Sequence, residues 1–425
     1  MNPISRATDA EIGSASATNT AAPSGRTAAA TGRSVRWRWQ ARLVIALLDR
    51  MDSGSIELQL PDGSKRLCGS GPLHARLHVH DWDVFGAIVS AGDVGMGRTF
   101  IEGRWSTDDL AGLMLILARG RAAIERLIYG GRFSGLMLRL RHLLNANTRR
   151  GARRNIAAHY DLGNAFYELW LDPSMTYSAA LFEGDLARSL EQAQHAKLAR
   201  VLSSLGLHGG EHLLEIGCGW GAFAISAARA GAARVSGISL SREQTDWARS
   251  AVARAGVADR VDLQLRDYRE VREHYDHIVS IEMIEAVGES HWAQYFATLR
   301  TSLRAGGRAL IQAITIDDRH FEAYRRGTDF IQQYVFPGGM LPSPTRLRSV
   351  AEGEGLLIAS VFSFGRDYAE TLRRWRANFL RERAAVMALG FDLPFIRLWE
   401  FYLAYCEAGF DAGICDVSQI SLRAD

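Results

Sequence analysis

The chain has 425 residues, enough for about two or three domains, and 47% of them are hydrophobic, which is normal for a soluble protein. The formal net charge is only +3, and no apolar run reaches the ~20 residues that are needed to span a bilayer. The four cysteines have a spacing that suits neither a zinc site nor a disulfide framework, so a reducing cytoplasm is the expected compartment.

The N-terminal third of the chain divides into a tail and a small domain. Residues 1–34 are rich in Ala, Ser, Thr and Gly and have almost no large apolar side chains, which predicts a disordered tail. Residues 35–130 are predicted to form a small α+β domain, in which residues 54–103 show short alternating strands. Three histidines alternate on these strands: His74, His78 and His80. That pattern is typical of solvated side chains, and we predict no metal site.

Residues 131–155 are predicted to form a basic helical linker. The arginines of this segment are Arg132, Arg139, Arg141, Arg149, Arg150, Arg153 and Arg154. No acid accompanies them and leucines lie between them, which suits an anionic lipid surface at the inner face of the membrane. A solvated linker helix is the alternative. A nucleic-acid surface would use stacking aromatic residues, of which this segment has almost none, so no nucleic-acid partner is expected.

Residues 156–425 are predicted to form an α/β domain, because strands and helices alternate along them. The predicted elements are strand His212–Ile216, helix Ala222–Ala230, strand Arg234–Ser239, helix Arg242–Ala255, strand Val261–Arg266, strand His277–Glu282, helix His291–Leu303 and strand Ala309–Thr315. Gly306 and Gly307 are predicted to break the chain before the last of these strands. An insertion at 317–343 and further helices are expected to cover a doubly wound, Rossmann-like sheet.

The stretch LLEIGCGWGA, residues 213–222, predicts a buried strand, a tight turn and a helix. Glu215 stands near the strand end, and Gly217, Gly219 and Gly221 follow at alternate positions, which lets the backbone approach a ligand closely. A dinucleotide fold would place an acid about 20 residues later, where this chain has Ser239. The order E-x-G-x-G-x-G resembles motif I of class I S-adenosylmethionine-dependent methyltransferases. A strand–turn–helix junction without a ligand is the alternative.

Six further motifs, together with the glycine stretch, extend this resemblance to one family. They are HYDLGNAFYELWLDPSMTYS, LLEIGCGWG, GISLSREQ, VSIEMIEAVGE, YVFPGGMLPS, DYAETLRRW and YCEAGF. Together they resemble the cyclopropane-fatty-acyl-phospholipid synthase family, which includes the mycolic acid cyclopropane synthases. The resemblance covers roughly residues 154–422, and residues 35–130 are loosely similar to the N-terminal domain of the bacterial phospholipid enzymes. A homodimer is what those enzymes suggest.

The resemblance implies S-adenosyl-L-methionine as the cofactor. It assigns Tyr177 and Ser178 to the methionine end, Gly217 and Gly219 beneath it, Ser239 and Gln244 to the ribose, and Asp267 and Tyr268 to the adenine side. The implied reaction transfers a methyl or methylene carbon to the cis double bond of an unsaturated acyl chain of a membrane phospholipid. The chain then carries a cation, which needs a dry pocket with electron-rich walls. Candidates for an apolar tunnel are Phe330, Phe336 and Met340.

In the family a bound bicarbonate acts as the base, held by a Cys, a Glu, a His, a Tyr and a backbone amide. The resemblance places these ligands at Ala179, Glu285, Gln312, Tyr368 and Ile314. Thus Ala replaces the Cys and Gln replaces the His, although a Gln still donates hydrogen bonds. Loss of the ring-closing geometry would give a methyl-branched or methylene product. Cys406 matches a Cys often assigned as active in the family, but this chemistry needs no covalent enzyme intermediate.

Two other functions remain open from the sequence. One is an N- or O-methyltransferase for a small molecule, since plant alkaloid methyltransferases resemble the same catalytic domain. The other is a non-catalytic protein of lipid surfaces with a vestigial cofactor pocket. The N-terminal domain and the basic linker argue against the first, and the intact glycines argue against the second.

Overall fold

The computed structural model describes residues 39–121 and 162–424. The predicted tail, residues 1–34, and the predicted basic linker, residues 131–155, lie outside the described residues, as does the C-terminal end of the predicted first domain.

The N-terminal part is a four-stranded sheet covered by helices. Its elements are α1 (Trp39–Leu48), β1 (Gly54–Gln59), β2 (Lys65–Ser70), β3 (Leu73–Val79), α2 (Asp83–Ile101), β4 (Trp105–Ser106) and α3 (Leu110–Arg119). The strand order is β2-β1-β3-β4, in which β1 and β3 are parallel and the other neighbours are antiparallel. Asp109 caps α3 by accepting a hydrogen bond from the Gly112 N–H, as expected for an acid at a helix start.

The prediction of short strands throughout residues 54–103 was wrong for the second half of that segment, which forms α2. Its glycines resemble a loop in sequence, but they serve close packing. Added Cβ atoms on Gly95 and Gly97 would collide with the Ala87 carbonyl and the Phe330 ring. Gly92 has a φ of 59° inside the helix and kinks it, a conformation that glycine adopts without strain.

Helix α2 is also long and apolar enough to cross a membrane by length and composition alone. Of its most apolar window, 56% is buried inside the protein. In this structure α2 is therefore a core helix of the N-terminal part.

The rest of the described chain is built on a seven-stranded sheet of order β10-β11-β9-β8-β5-β6-β7. The strands are β5 (His212–Ile216), β6 (Arg234–Ser239), β7 (Val261–Leu265), β8 (Tyr275–Ile281), β9 (Leu303–Ile316), β10 (Leu356–Ser363) and β11 (Cys415–Ala424). Strands β5 to β9 are parallel, whereas β11 is antiparallel to β9 and to β10. The carboxyl ends of β5, β6 and β8 therefore meet at one edge, where ligands bind in open α/β sheets.

Helices pack on both faces and over that edge. They are α4 (Asn164–Glu168), α5 (Leu190–Leu205), α6 (Ala222–Arg229), α7 (Arg242–Arg254), α8 (Trp292–Ser302), α9 (Asp318–Arg326), α10 (Phe330–Tyr334), α11 (Pro344–Gly353), α12 (Gly365–Arg381), α13 (Arg383–Ala388) and α14 (Leu393–Asp411). The predicted α/β doubly wound class, with helical insertions and a small α+β part, is confirmed. The predicted strands and helices of this sheet lie within a few residues of the observed ones.

One predicted break was wrong. Strand β9 runs through Gly306 and Gly307 instead of starting after them. Gly306 has a φ of 77°, and the pairing of β9 with β8 shifts register between Tyr275 and His277. A Cβ on Gly307 would lie 2.6 Å from the Asp276 carbonyl oxygen. The two glycines thus mark an irregular, closely packed strand entry.

The two sheets share one hydrophobic core through α14. Phe401 of α14 contacts the rings of Phe100 and Trp105, with centroids 5.7 and 6.4 Å apart. Asp93, which follows the kink of α2, accepts hydrogen bonds from the Tyr405 hydroxyl at 2.7 Å and the Phe330 N–H at 3.3 Å. The N-terminal part is therefore packed directly against the helices that cover the ligand edge.

Candidate active site

The glycine turn after β5 has the conformation that its sequence predicts. Gly217, Gly219 and Gly221 have φ values of 84°, 50° and 88°, all in the left-handed region that favours glycine. A Cβ on Gly217 would lie 3.0 Å from the Met283 side chain, whereas a Cβ on Gly219 would point into open space. Bare backbone therefore forms one wall of the cleft at this edge.

The cleft encloses about 1180 Å³ of space, part of it open to solvent, which is ample for a nucleoside with an amino-acid tail. The predicted cofactor residues that line it are Tyr177, Ser178, Glu215, Gly217, Gly219, Ser239, Gln244 and Tyr268. Gly221 shapes the turn, with Ala248 3.2 Å from where its Cβ would be, but it does not line the cleft.

Glu215 is the acid of this cleft. Its side chain is buried, and its Oε2 atom has no hydrogen-bond partner among the described residues. Burial raises the pKa of Glu215 to about 8, and the nearby Lys197 opposes that rise. A buried carboxylate oxygen without a partner, aimed into a cleft, fits the cationic ammonium of an amino-acid ligand.

The two residues that are predicted to hold the ribose lie at the end of β6 and at the start of α7. The Ser239 hydroxyl lies 3.3 Å from the Gln244 side-chain oxygen, and both residues are buried. Ser241 caps α7 and places Gln244 in its first turn. The hydroxyl and the amide offer neutral donors and acceptors to a diol, which explains how the site can dispense with an acid at the end of β6.

Asp267 does not line the cleft, contrary to its predicted position beside the adenine. The Arg269 guanidinium binds its carboxylate at 2.6 and 2.9 Å, and both side chains are buried. Tyr268 and Arg269 line the cleft instead. The predicted adenine contact of Asp267 therefore has no support in this arrangement and stays a prediction.

A second cavity opens from the cleft at Tyr177, Glu282 and Ala286, which line both spaces. It encloses about 1310 Å³, and its walls are mostly aromatic and aliphatic. The aromatic side chains on it are Tyr177, Tyr324, Phe336, Tyr368, Tyr402, Tyr405 and Phe410. Phe336 and Met340 line it as predicted, whereas Phe330 packs against Phe401 in the core, with ring centroids 4.5 Å apart.

At the junction of the two spaces lies Glu282, which the sequence analysis missed. Its Oε1 atom accepts hydrogen bonds from the Ala179 N–H at 2.9 Å and the Gln312 side-chain amide at 2.7 Å. Its Oε2 atom accepts one from the Tyr368 hydroxyl at 2.8 Å. The available signal was its position directly after β8, beside the acid of β5, on the ligand edge of a parallel sheet.

Glu285 lies nearby but is held differently. Its Oε1 atom accepts a hydrogen bond from the Ile314 N–H, and its buried Oε2 atom has no partner among the described residues. Burial raises the pKa of Glu285 to about 8, and repulsion from Glu282 adds to the rise. Burial also raises the pKa of Glu282, but its three donors and Lys197 oppose that rise. The hydrogen bonds around Glu282 therefore favour its negative charge, whereas burial and repulsion from Glu282 favour a proton on Glu285.

Lys197 is the second residue that the sequence analysis missed. It is fully buried on α5, and its Nζ donates to the Ser178 hydroxyl at 2.8 Å. Burial lowers its pKa to about 8, while the acids around it raise it. The signal was its place in the buried row Ala193, Lys197, Val201 and Leu205, where a lysine on an apolar helix face needs an anionic partner.

Cys406 lines the second cavity, as its predicted role requires. Burial raises its pKa well above the ordinary value, so the thiol is neutral and a poor nucleophile. In the described ranges 39–121 and 162–424, no group of three or more His, Cys, Asp and Glu is placed to hold a metal.

A third cavity continues from the second into the N-terminal part. Both are lined by Tyr324, Asp329, Leu341, Tyr405, Gly409 and Cys415. The third encloses about 1390 Å³, and its far wall comes from β1, β3 and α1 to α3, with Leu48, Leu77 and Ala118 among its residues. The cofactor cleft, the aromatic cavity and this apolar cavity thus lie in series.

The strand order, the glycine turn and the buried acid beside it define a class I S-adenosylmethionine-dependent methyltransferase. The residues of the cleft fit S-adenosylmethionine: Glu215 would pair with its ammonium, and Ser239 and Gln244 would hold its ribose. The model of the mycolic acid cyclopropane synthetase family matches residues 147–420, and the chain belongs to that family.

Three relatives give the extent of the similarity. The chain is 40% identical to the tuberculostearic acid methyltransferase of Mycobacterium tuberculosis, over 83% of this chain and 84% of the relative. It is 32% identical to the cyclopropane-fatty-acyl-phospholipid synthase of Escherichia coli, over 81% and 86%. The crystal structure of a mycolic acid cyclopropane synthase in complex with SAH and CTAB superposes with a TM-score of 0.60 at 32% identity, over 64% and 97%.

Proposed function

We propose that this protein transfers one carbon from S-adenosylmethionine to the cis double bond of an unsaturated fatty-acyl chain of a membrane phospholipid, and that the product is an open-chain methylene branch. The observation that carries the proposal is the series of connected spaces. A cleft with a buried acid and a glycine turn leads directly into an aromatic cavity and then into an apolar one. A small polar substrate would gain nothing from the second and third spaces.

The walls of the aromatic cavity suit a chain that becomes positively charged during the reaction. S-adenosylmethionine supplies an electrophilic methyl group, and the alkene is the nucleophile. The Tyr177 ring packs against Trp375 and Trp170, with centroids 5.3 and 5.4 Å apart, so its face is held rigidly. Electron-rich aromatic faces attract a cation in a site from which water is excluded.

The third cavity is proposed to hold the far end of the acyl chain. Its described lining contains two carboxylates, Asp93 and Asp329, and the guanidinium of Arg121, and is otherwise almost wholly apolar. Both relatives that share the N-terminal part are named for fatty-acid substrates. The N-terminal part would then belong to the substrate site, in addition to any role at the membrane.

Two observations favour a branch over a ring. The chain is more similar to the tuberculostearic acid methyltransferase, at 40% identity, than to the phospholipid cyclopropane synthase, at 32%. The Cys and the His that the family resemblance places around its anion are replaced by Ala179 and Gln312. Cyclopropanation is the second candidate, because the family model itself is named for it.

Expression in a bacterial host without such an enzyme tests the proposal. Mass spectrometry of the phospholipids is expected to show a gain of one CH₂ in monounsaturated acyl chains, and proton NMR is expected to show two vinylic protons on the added carbon. Upfield ring protons would instead establish the cyclopropane. An unchanged lipid profile would favour the small-molecule methyltransferase and contradict the proposal.

Peripheral binding at the inner face of the cytoplasmic membrane is proposed from the basic linker, which lies outside the described residues. Sedimentation with vesicles of phosphatidylglycerol, compared with vesicles of phosphatidylcholine, tests this proposal. Binding to both alike, or to neither, would contradict it. A homodimer remains a proposal from the family resemblance, and the molar mass in light scattering tests it.

A further inference from the structure

We infer that the carboxylate of Glu282 is a built-in replacement for the bicarbonate that the family resemblance implies, and that it is the base of the reaction. The inference rests on the proposed function, since it concerns how the acyl chain loses a proton after it has received a carbon.

Three of the four expected donor positions of the anion site point at Glu282, and the fourth, the Ile314 N–H, donates to Glu285. Tyr368, Gln312 and the backbone at residue 179 occupy positions that the resemblance gives to ligands of the anion, and all three donate hydrogen bonds to this one carboxylate. With these three donors already bound to Glu282, a second anion beside it would lack their hydrogen bonds, and the negative potential of Glu282 opposes one. The residues present therefore do not fit a bound bicarbonate.

The backbone conformation of Glu282 is also evidence that the position of its carboxylate has a function. Its φ of 49° lies in the left-handed region, which is strained for a residue with a Cβ. The conformation turns the carboxylate from the end of β8 into the junction between the cleft and the aromatic cavity. A strained, buried acid at a junction of two ligand spaces is the kind of outlier from which function is inferred.

The neighbouring acid does not compete for the role. Glu285 has a single donor, the Ile314 N–H, and the charge of Glu282 helps to keep it protonated. Glu282 has three donors and a buried cation, Lys197, that stabilises its charge. Of the two glutamates, Glu282 is therefore the one that is ready to accept a proton.

The chemistry balances with this assignment. The carbon–sulfur bond breaks as the new carbon–carbon bond forms, which leaves the positive charge on the adjacent carbon of the chain. A hydride then shifts from the methylated carbon to that adjacent carbon, so that the positive charge lies on the carbon that carries the new methyl group. A C–H bond of the added carbon then breaks, and its proton goes to a carboxylate oxygen of Glu282. The electron pair of that C–H bond forms the double bond of the methylene group, so no oxidant or reductant is needed.

Glu282→Gln and Glu285→Gln form a matched pair for the first test. Each change keeps the size of the side chain and removes its ability to ionise. We expect Glu282→Gln to lower the rate of product formation roughly 100-fold or more, as for loss of a general base, and Glu285→Gln to lower it by less than about 10-fold. An equal loss in both variants, or a larger loss in Glu285→Gln, would overturn the inference.

Chemical rescue gives the second test. Glycine adopts a positive φ freely, so Glu282→Gly leaves the backbone unstrained and opens a space among the three donors. Added formate or bicarbonate is expected to restore product formation at least about 10-fold in Glu282→Gly but not in Glu282→Gln, whose amide still fills the space. Activity of Glu282→Gly at the wild-type rate without added anion, or inactivity that neither anion relieves, would contradict the role of Glu282.

Equilibrium dialysis with carbon-14 bicarbonate supplies a readout that does not depend on activity. We expect no retention by the wild-type protein and retention by Glu282→Gly, with S-adenosylmethionine calorimetry as the check that the variant is folded. Stoichiometric retention by the wild-type protein would overturn the inference. Failure of the wild-type protein to modify any lipid would instead contradict the proposed function, so the two failures are distinct.

Discussion

At the scale of single residues, the site is defined by acids that the protein buries at a cost. Glu215, Glu282 and Glu285 are all at the ligand edge, and burial raises the pKa of each. Among the described residues, Lys197 is the lysine whose positive charge opposes the rise in pKa of Glu215 and of Glu282. A native site that keeps buried carboxylates poorly paired is organised for a cationic ligand and for proton transfer, since stability alone would select against it.

Glu215→Gln tests the cofactor site. The uncharged amide cannot ion-pair with an ammonium, so we expect S-adenosylmethionine to bind about 10- to 100-fold more weakly, as for loss of a charged hydrogen bond. A bound cation favours the ionised form of Glu215, so wild-type affinity is expected to rise as the pH approaches about 8, and the variant is expected to lose that dependence. Calorimetry measures both effects.

Glu211→Gln is the control for that measurement, because Glu211 precedes β5 but lies outside the cleft. Equal affinity of the Glu215→Gln variant and the wild-type protein across the pH range would contradict the assigned role of Glu215.

The raised pKa of Glu285 leads to a prediction about the pH dependence of stability. Its pKa rises from 4.5 to about 8 on folding, so its contribution to the free energy of unfolding is fully present below pH 4.5 and is lost as the pH rises through 8. The side chain of the Glu285→Gln variant does not ionise, so the variant does not lose stability in this way as the pH rises. Relative to the wild-type protein, the variant is expected to gain on the order of a few kcal/mol between about pH 5 and about pH 9.

Urea denaturation at the two pH values measures this difference. Glu322→Gln is the control, since Glu322 is an exposed acid paired with Arg326. The same pH dependence in the wild-type protein and in Glu285→Gln would show that Glu285 is ionised in the folded state, contrary to our assignment.

At the scale of elements, residue patterns predicted the strands and helices around the glycine turn well. The β5, β6 and α6 segments have strong local signals: two buried strands, the alternating glycines and the alanine-rich helix that follows them. Helix α2 could not be predicted in the same way. Its glycines weaken every local helix signal. Gly97 is explained by contacts with α10 and α14, which are distant in sequence, and Gly95 by its approach to the Ala87 carbonyl across the kink.

A residue of helix α3 offers a test of the third cavity. Ala118 lines that cavity, and a phenylalanine there would occupy space that the proposal assigns to the end of the acyl chain. We expect Ala118→Phe to shift the preference several-fold from oleoyl toward palmitoleoyl chains, because a methylene in an apolar pocket contributes about 1 kcal/mol or more. A competition assay with mixed vesicles, read by mass spectrometry, measures the ratio.

Ala187→Phe serves as the control, because Ala187 is exposed on a loop away from the cavities. If Ala118→Phe keeps the wild-type preference while its melting temperature is unchanged, the third cavity does not hold substrate.

At the scale of the whole molecule, the fold and the cofactor cleft follow from the sequence more fully than the rest of the site. The glycine turn, Glu215 and the Ser239–Gln244 pair are local motifs that line one cleft in the structure, and their contacts with the cofactor stay a prediction. The role of Glu282 depends on three donors that are 30 to 103 residues away in sequence, which no local pattern contains. The series of three cavities likewise exists only because α14 joins the two sheets.

The most direct measurement supplies the purified protein with S-adenosylmethionine carrying carbon-13 in its methyl group, together with vesicles of a monounsaturated phospholipid. Carbon-13 NMR of the extracted lipid is predicted to show the label in a vinylic CH₂ carbon of the acyl chain. Label in a small-molecule acceptor, or no label in the lipid while S-adenosylmethionine binds normally, would contradict transfer of this carbon to an acyl chain.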